Sequence, residues 1–132
     1  MKRSHRTSEN GERGAVAVEF ALVAPVLIAL IIAVVEFSNA YNVQVSVTQA
    51  SREAARTMAI TKDASKATAA GKAGAPSIDT ALLTFDYSAA SCPAATPTPN
   101  AIVTVTYTGT SLTGFFGSSL ILTGKGAMQC GG

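Results

Sequence analysis

One carboxylate stands where a carboxylate is expensive. Glu19 interrupts an apolar stretch running from Ala15 to Val35, and an ionisable group inside an apolar helix is a functional hypothesis with a partner to be named. Other chemistry-bearing side chains are sparse: one histidine, His5, two cysteines, Cys92 and Cys130, and the separated carboxylates Glu53, Asp79 and Asp86. One His and two Cys cannot supply the three or four ligands of a His/Cys zinc site. There is no G-x-S-x-G elbow, and His5 is the sole candidate imidazole base. Gly124-Lys125-Gly126 lacks the Ser or Thr and the glycine spacing of a phosphate loop; the glycines from Gly117 to Gly126 read as turn and bulge chemistry. The sequence thus predicts neither an enzyme nor a metal or cofactor site.

The elements that carry these residues begin with a membrane helix. The chain has 132 residues, 48% hydrophobic but only 14% charged, roughly half the charged share usual for a soluble domain, and its length suits one core at most. Phe20 to Val35 carry no charge, and the run from Ala15 to Val35 holds thirteen Val, Leu, Ile and Phe residues. Its length as a helix, about 32 Å, matches a hydrocarbon core of about 30 Å. Those thirteen residues favour insertion by roughly 4 to 8 kcal/mol, against a cost of at most roughly 3 kcal/mol for Glu19. Insertion wins.

Lys2, Arg3, Arg6 and Arg13 precede the run, and no Lys or Arg follows it until Arg52. The positive-inside bias therefore predicts a single-pass protein of the cytoplasmic membrane, amino terminus in the cytoplasm and the rest extracytoplasmic. Residues 1–14 account for the whole net charge of +2, so the basic tract reads as a leader rather than a working part. The basic residues form no stripe that could track a phosphate backbone, which argues against nucleic acid as a partner.

Gly14-Ala15-Val16-Ala17-Val18-Glu19-Phe20 resembles the prepilin signal of the type IV pilin superfamily. The longer stretch from Arg13 to Ile60, with Pro25, Glu36-Phe37, Tyr41 and the Ala/Arg-rich Ser51 to Arg56, resembles the TadE-like family, minor pilin-like proteins of tight-adherence pilus systems. The resemblance implies that a prepilin peptidase cuts between Gly14 and Ala15 and that Glu19 serves assembly. A new α-amino group at Ala15 would lie about one helical turn from Glu19, and the helix dipole favours a carboxylate there. Between bundled helices the amine of one subunit can meet the carboxylate of another, where either charge left unpaired would cost several kcal/mol. Ala17, Ala21, Ala24, Ala29 and Ala33 would allow helices to approach closely. Pro25 removes a backbone donor and is expected to kink the helix.

Beyond the membrane the helical pattern continues to about residue 61, with Tyr41, Val45, Ala54 and Met58 expected on one face. The alternation Val43-Gln44-Val45-Ser46-Val47 taken alone would indicate a strand, but flanking helix overrides it. Glu36 reads as the outer boundary of the span, and Phe37 and Tyr41 as an interfacial aromatic pair. Residues 62–77, small, polar and Gly-rich, read as a linker. Leu83, Phe85 and Tyr87 alternate, as do Val103, Val105 and Tyr107, and a third run begins at Leu120. Pro93, Pro97 and Pro99 forbid regular pairing between Ser88 and Asn100. The Thr-rich strand faces read as solvated positions rather than an adhesive surface. Cys92 and Cys130 stand on the exported side, where a disulfide persists, and a bridge closing about 38 residues would contribute roughly 4 kcal/mol; two free thiols are the alternative.

The expected fold is α+β: a long amino-terminal transmembrane helix continuing as a stalk, packed on a small antiparallel sheet of three to four strands. The expected organisation is a leader at 1–14, a transmembrane helix at 15–36, an extracytoplasmic extension at 37–61, the linker, and a β-rich head at 78–132. The expected role is a pilin-like subunit or assembly protein, with the membrane, the prepilin peptidase, other pilin-like subunits and the pilus machinery as partners. The rival reading takes Ser38-Asn39-Ala40 as a signal-peptidase site, so that cleavage after Ala40 releases a small secreted binding protein.

Overall fold

The computed structural model describes residues 9–88, 90, 92, 99–114 and 117–130, with side chains described from Gly14 onward. The first eight residues, including His5, lie outside this set, as do Pro93 and Pro97. The elements run α1 (Glu9–Thr61), α2 (Ala64–Ala73), a 3-10 turn (Thr80–Leu82), β1 (Leu83–Asp86), β2 (Asn100–Gly109) and β3 (Leu120–Gln129). The chain divides into two units, Met1–Val35 and Glu36–Gly132.

In the first unit α1 runs on through Pro25. Phe20, Leu22 and Val34 are 71%, 70% and 68% exposed, and no residue of the most apolar eighteen-residue window, whose mean hydropathy is 2.8, is buried. By length and composition the helix is long and apolar enough to cross a membrane.

The second unit is a three-stranded antiparallel sheet of order β1-β2-β3, covered on one face by α1. Leu83 pairs with Tyr107, Phe85 with Val105, Val105 with Gly124 and Val103 with Gly126, so these residues share the inward face. Thr84, Thr104, Thr106 and Lys125 stand on the opposite face. The buried apolar residues of α1 are Val43, Val47, Ala50, Ala54, Ala55 and Ala59, with Ser51 buried among them. This corrects the expected face: Tyr41 is 62% and Val45 48% exposed, while Ala54 is buried and Met58 half-buried. Val43 and Val47 stand one turn apart, and the small residues after them extend the same stripe. The Val-Gln-Val-Ser-Val segment is helical because Ala50, Arg52, Glu53, Ala54, Ala55 and Arg56 behind it are good helix formers. Its hydroxyls are absorbed locally, Ser46 donating to the Asn42 carbonyl at 3.0 Å, Thr48 to that of Gln44 at 2.8 Å and Ser51 to that of Thr48 at 2.7 Å.

The segment at 62–77 is not simply a linker. Lys62 takes a left-handed φ of 54° and ends α1, and the Asp63 carboxylate caps α2 by accepting from the backbone N–H of Ser65 at 2.8 Å and of Lys66 at 3.3 Å. Ala67 and Gly71 are buried one turn apart in α2. Gly124 and Gly126 also depart from the turn reading. Both lie inside β3, where a β-carbon on Gly124 would fall 2.9 Å from the Val47 carbonyl oxygen and one on Gly126 would overlap that of Ser51. These two glycines let helix and strand backbones touch. Gly117, with φ of 128°, does sit outside the strand in a conformation that favours glycine.

Candidate functional site

The residues expected to direct processing lie in the first unit. Gly14, Ala15 and Glu19 are exposed and fall within α1. A methyl group built on Gly14 would meet no described atom within 4 Å outside its own helical turn. Because the Gly14–Ala15 bond is helical, a peptidase that takes an extended substrate must first open a turn, and a helical glycine lowers that cost by roughly 0.5–1 kcal/mol relative to alanine.

Glu36 opens the second unit and is more than a boundary. Its carboxylate accepts from the backbone N–H of Leu112 at 3.2 Å and of Thr113 at 2.6 Å, and from the Thr113 hydroxyl. Several donors on one carboxylate offset the desolvation that follows from its burial. Sequence reasoning missed this role. A carboxylate placed directly after an uncharged run was the only available signal, and its partners lie 76 and 77 residues away. Beside it, an open cleft of about 350 Å³ is lined by Asn39, Val43, Ile78, Tyr107 and Leu112 among others.

Cys92 and Cys130 form a disulfide, with Cα atoms 5.7 Å apart. Cys130 follows the last rung of the β2–β3 ladder, Asn100 with Gln129, and donates its backbone N–H to the Pro99 carbonyl at 2.8 Å. The bridge therefore ties the chain leaving β1 to the end of β3. At the start of that segment the Asp86 carboxylate accepts from the Ser88 backbone N–H at 2.8 Å and hydroxyl at 3.1 Å, and these bonds lower its pKa from the usual carboxylate value. Tyr87 shares a 2.7 Å hydrogen bond with the Thr68 hydroxyl and its ring stacks on Phe85 at 6.3 Å. Burial raises its pKa, with the Thr68 bond acting the other way. Among the described residues no group of three or more His, Cys, Asp or Glu is placed to hold a metal ion.

Taken separately, the two units define a protein with one apolar helix of bilayer length followed by a small α+β unit closed by a disulfide. Residues 14–56 match the family model of TadE-like proteins, the family the sequence resembles. The match begins at Gly14 and runs through Glu19, Pro25 and Glu36. No curated protein and no solved structure matches this chain.

Proposed function

We propose that this chain is a minor pilin-like subunit or assembly protein of a tight-adherence pilus or related secretion system. A prepilin peptidase cuts it between Gly14 and Ala15, and it joins the pilus or its assembly base through its apolar helix, without catalytic activity of its own. The carrying observation is that the TadE-like match starts at Gly14, the residue that precedes the apolar run and stands five positions before its only carboxylate. Cleavage there leaves Glu19 beside a new positive terminus. In an assembled bundle the same carboxylate takes a neighbouring subunit's amine, which fixes axial register. The amino terminus stays cytoplasmic until processing and the second unit is exported, consistent with four basic residues before the run and none for sixteen residues after it.

The rival cut after Ala40 is less well supported, because it would sever α1 within the second unit and remove Glu36 together with the bonds it makes. Mass spectrometry of the chain purified from a host with the cognate peptidase separates the readings. Ala15 as first residue supports the pilin-like subunit, Tyr41 the secreted module, and Met1 rejects processing altogether. Glu19→Gln is expected to abolish incorporation into the pilus while leaving cleavage intact, measured by recovery of the chain in sheared filaments.

A further inference from the structure

Glu36, the residue directly after the apolar run, holds a loop of the second unit. It follows Val35, the last residue of the uncharged stretch, and a helical side chain leans toward the amino terminus of its helix, which here is the side of the membrane. The Leu112 and Thr113 amides bind that carboxylate at 3.2 and 2.6 Å. The bilayer's polar layers add about 5–7 Å on each side of its hydrocarbon core, so a loop held to Glu36 falls at their level. Leu112 is 62% exposed there. No Asp, Glu, Lys or Arg occurs between Asp86 and Lys125, so contact with lipid would strip water from no ionised side chain of this segment.

We propose that the loop Ser111–Gly114 is a second membrane contact, with Leu112 seated in the headgroup layer of the bilayer that α1 crosses and Glu36 as the residue that positions it. The inference rests on the reading that α1 spans a membrane. Its physical content is continuity: the lipid surface that must cover the exposed residues before Val35 extends to the level of Glu36, and Leu112 is the apolar side chain whose own backbone is tied there. Ile60 and Ile121 are also exposed, at 58% and 63%, but the Glu36 carboxylate binds Leu112 and Thr113.

The chain contains no tryptophan, so one introduced residue reports alone. Full-length chains carrying Leu112→Trp, Phe37→Trp or Ile60→Trp would be reconstituted into phosphatidylcholine–phosphatidylglycerol vesicles whose acyl chains are brominated near the headgroups. Phe37→Trp reports whether the end of the span lies at the bilayer, and Ile60→Trp, about 34 Å further along the helix axis, is the water-exposed reference. The expected result is blue-shifted emission and bromine quenching for Leu112→Trp comparable to Phe37→Trp, with Ile60→Trp unquenched. Adding Glu36→Ala should abolish the quenching of Leu112→Trp and leave that of Phe37→Trp unchanged. Quenching of Phe37→Trp alone overturns the inference while sparing the membrane reading. An emission shift for Leu112→Trp that follows protein density without bromine quenching also overturns it, in favour of a second copy on this surface. If Phe37→Trp is not quenched, the spanning reading and this inference fall together.

Discussion

Gly126 faces the main-chain carbonyl of Ser51 so closely that no β-carbon fits between them. Two residues before it, a β-carbon on Gly124 would lie 2.9–3.0 Å from the main chain of Val47 and Thr48. Overpacking of this kind costs typically 1–3 kcal/mol, and more where backbone must move. Gly126→Ala is expected to destabilise the second unit by about 3 kcal/mol and Gly124→Ala by about 1 kcal/mol. Each kcal/mol lowers the melting temperature by about 4–8 °C in a unit of this size. Thermal unfolding followed by circular dichroism checks the ranking, and a Gly126→Ala chain that melts with the wild type would contradict the described contact.

The Cys92–Cys130 bridge spans a sequence separation of 38 and should contribute about 4 kcal/mol in the chain-entropy account. Replacing both cysteines with serine is expected to lower the unfolding free energy by that much, and the urea midpoint with it, without changing the sheet. The check is equilibrium unfolding of the oxidised, reduced and double-serine forms. Reduced and double-serine proteins should coincide, and equal stability of all three would rule out a stabilising bridge.

Glu36→Ala leaves the amides of Leu112 and Thr113 without the carboxylate they bind. Faster hydrogen exchange is expected at these two positions, with little change at Val103 and Val105, which are buried in the middle of the sheet. Exchange read residue by residue tests this, and uniform loss of protection would instead mark Glu36 as part of the global fold.

Tyr87 gives the second unit a dependence on alkaline pH. Its phenol holds its proton more tightly in the folded chain than in the unfolded one, so the associated stability is complete below about pH 10, the unfolded value, and is lost as pH rises through the higher folded value. Subtracting the absorbance titration of Tyr87→Phe from that of the wild type should reveal one phenol with a midpoint above 10. Tyr87→Phe should also flatten the fall in stability across that range, and a midpoint below 10 would reverse the sign.

The patterned elements are legible in the sequence: the apolar helix, the alternating strands at Leu83 to Tyr87 and Val103 to Tyr107, and the α+β class. What escaped reading was built from small residues. The second helix buries Ala67 and Gly71, which carry almost no hydrophobic signal, although Asp63 before an alanine-rich run was a capping cue. The buried stripe of α1 differs from the expected face because Val43, Val45 and Val47 permit two faces; the choice is made by Ala50, Ser51 and Ala54, all buried, and the Ser51 carbonyl packs against Gly126, seventy-five positions away. The partners of Glu36 were illegible for the same reason, since a contact of such separation leaves no periodic trace. The role of Gly14, Ala15 and Glu19 rests on motif and family, as their surroundings in α1 are open.

The seam where Gly124 and Gly126 meet Val47 and Ser51 carries a thermodynamic signature. Among the described residues the largest fully buried side chains are Val47, Val103, Val105 and Ser51, so melting wets little hydrocarbon for the number of peptide groups released. The heat-capacity increment should therefore fall below the usual 12–15 cal/mol/K per residue, giving a broad, shallow stability curve that changes slowly between cold and warm surroundings.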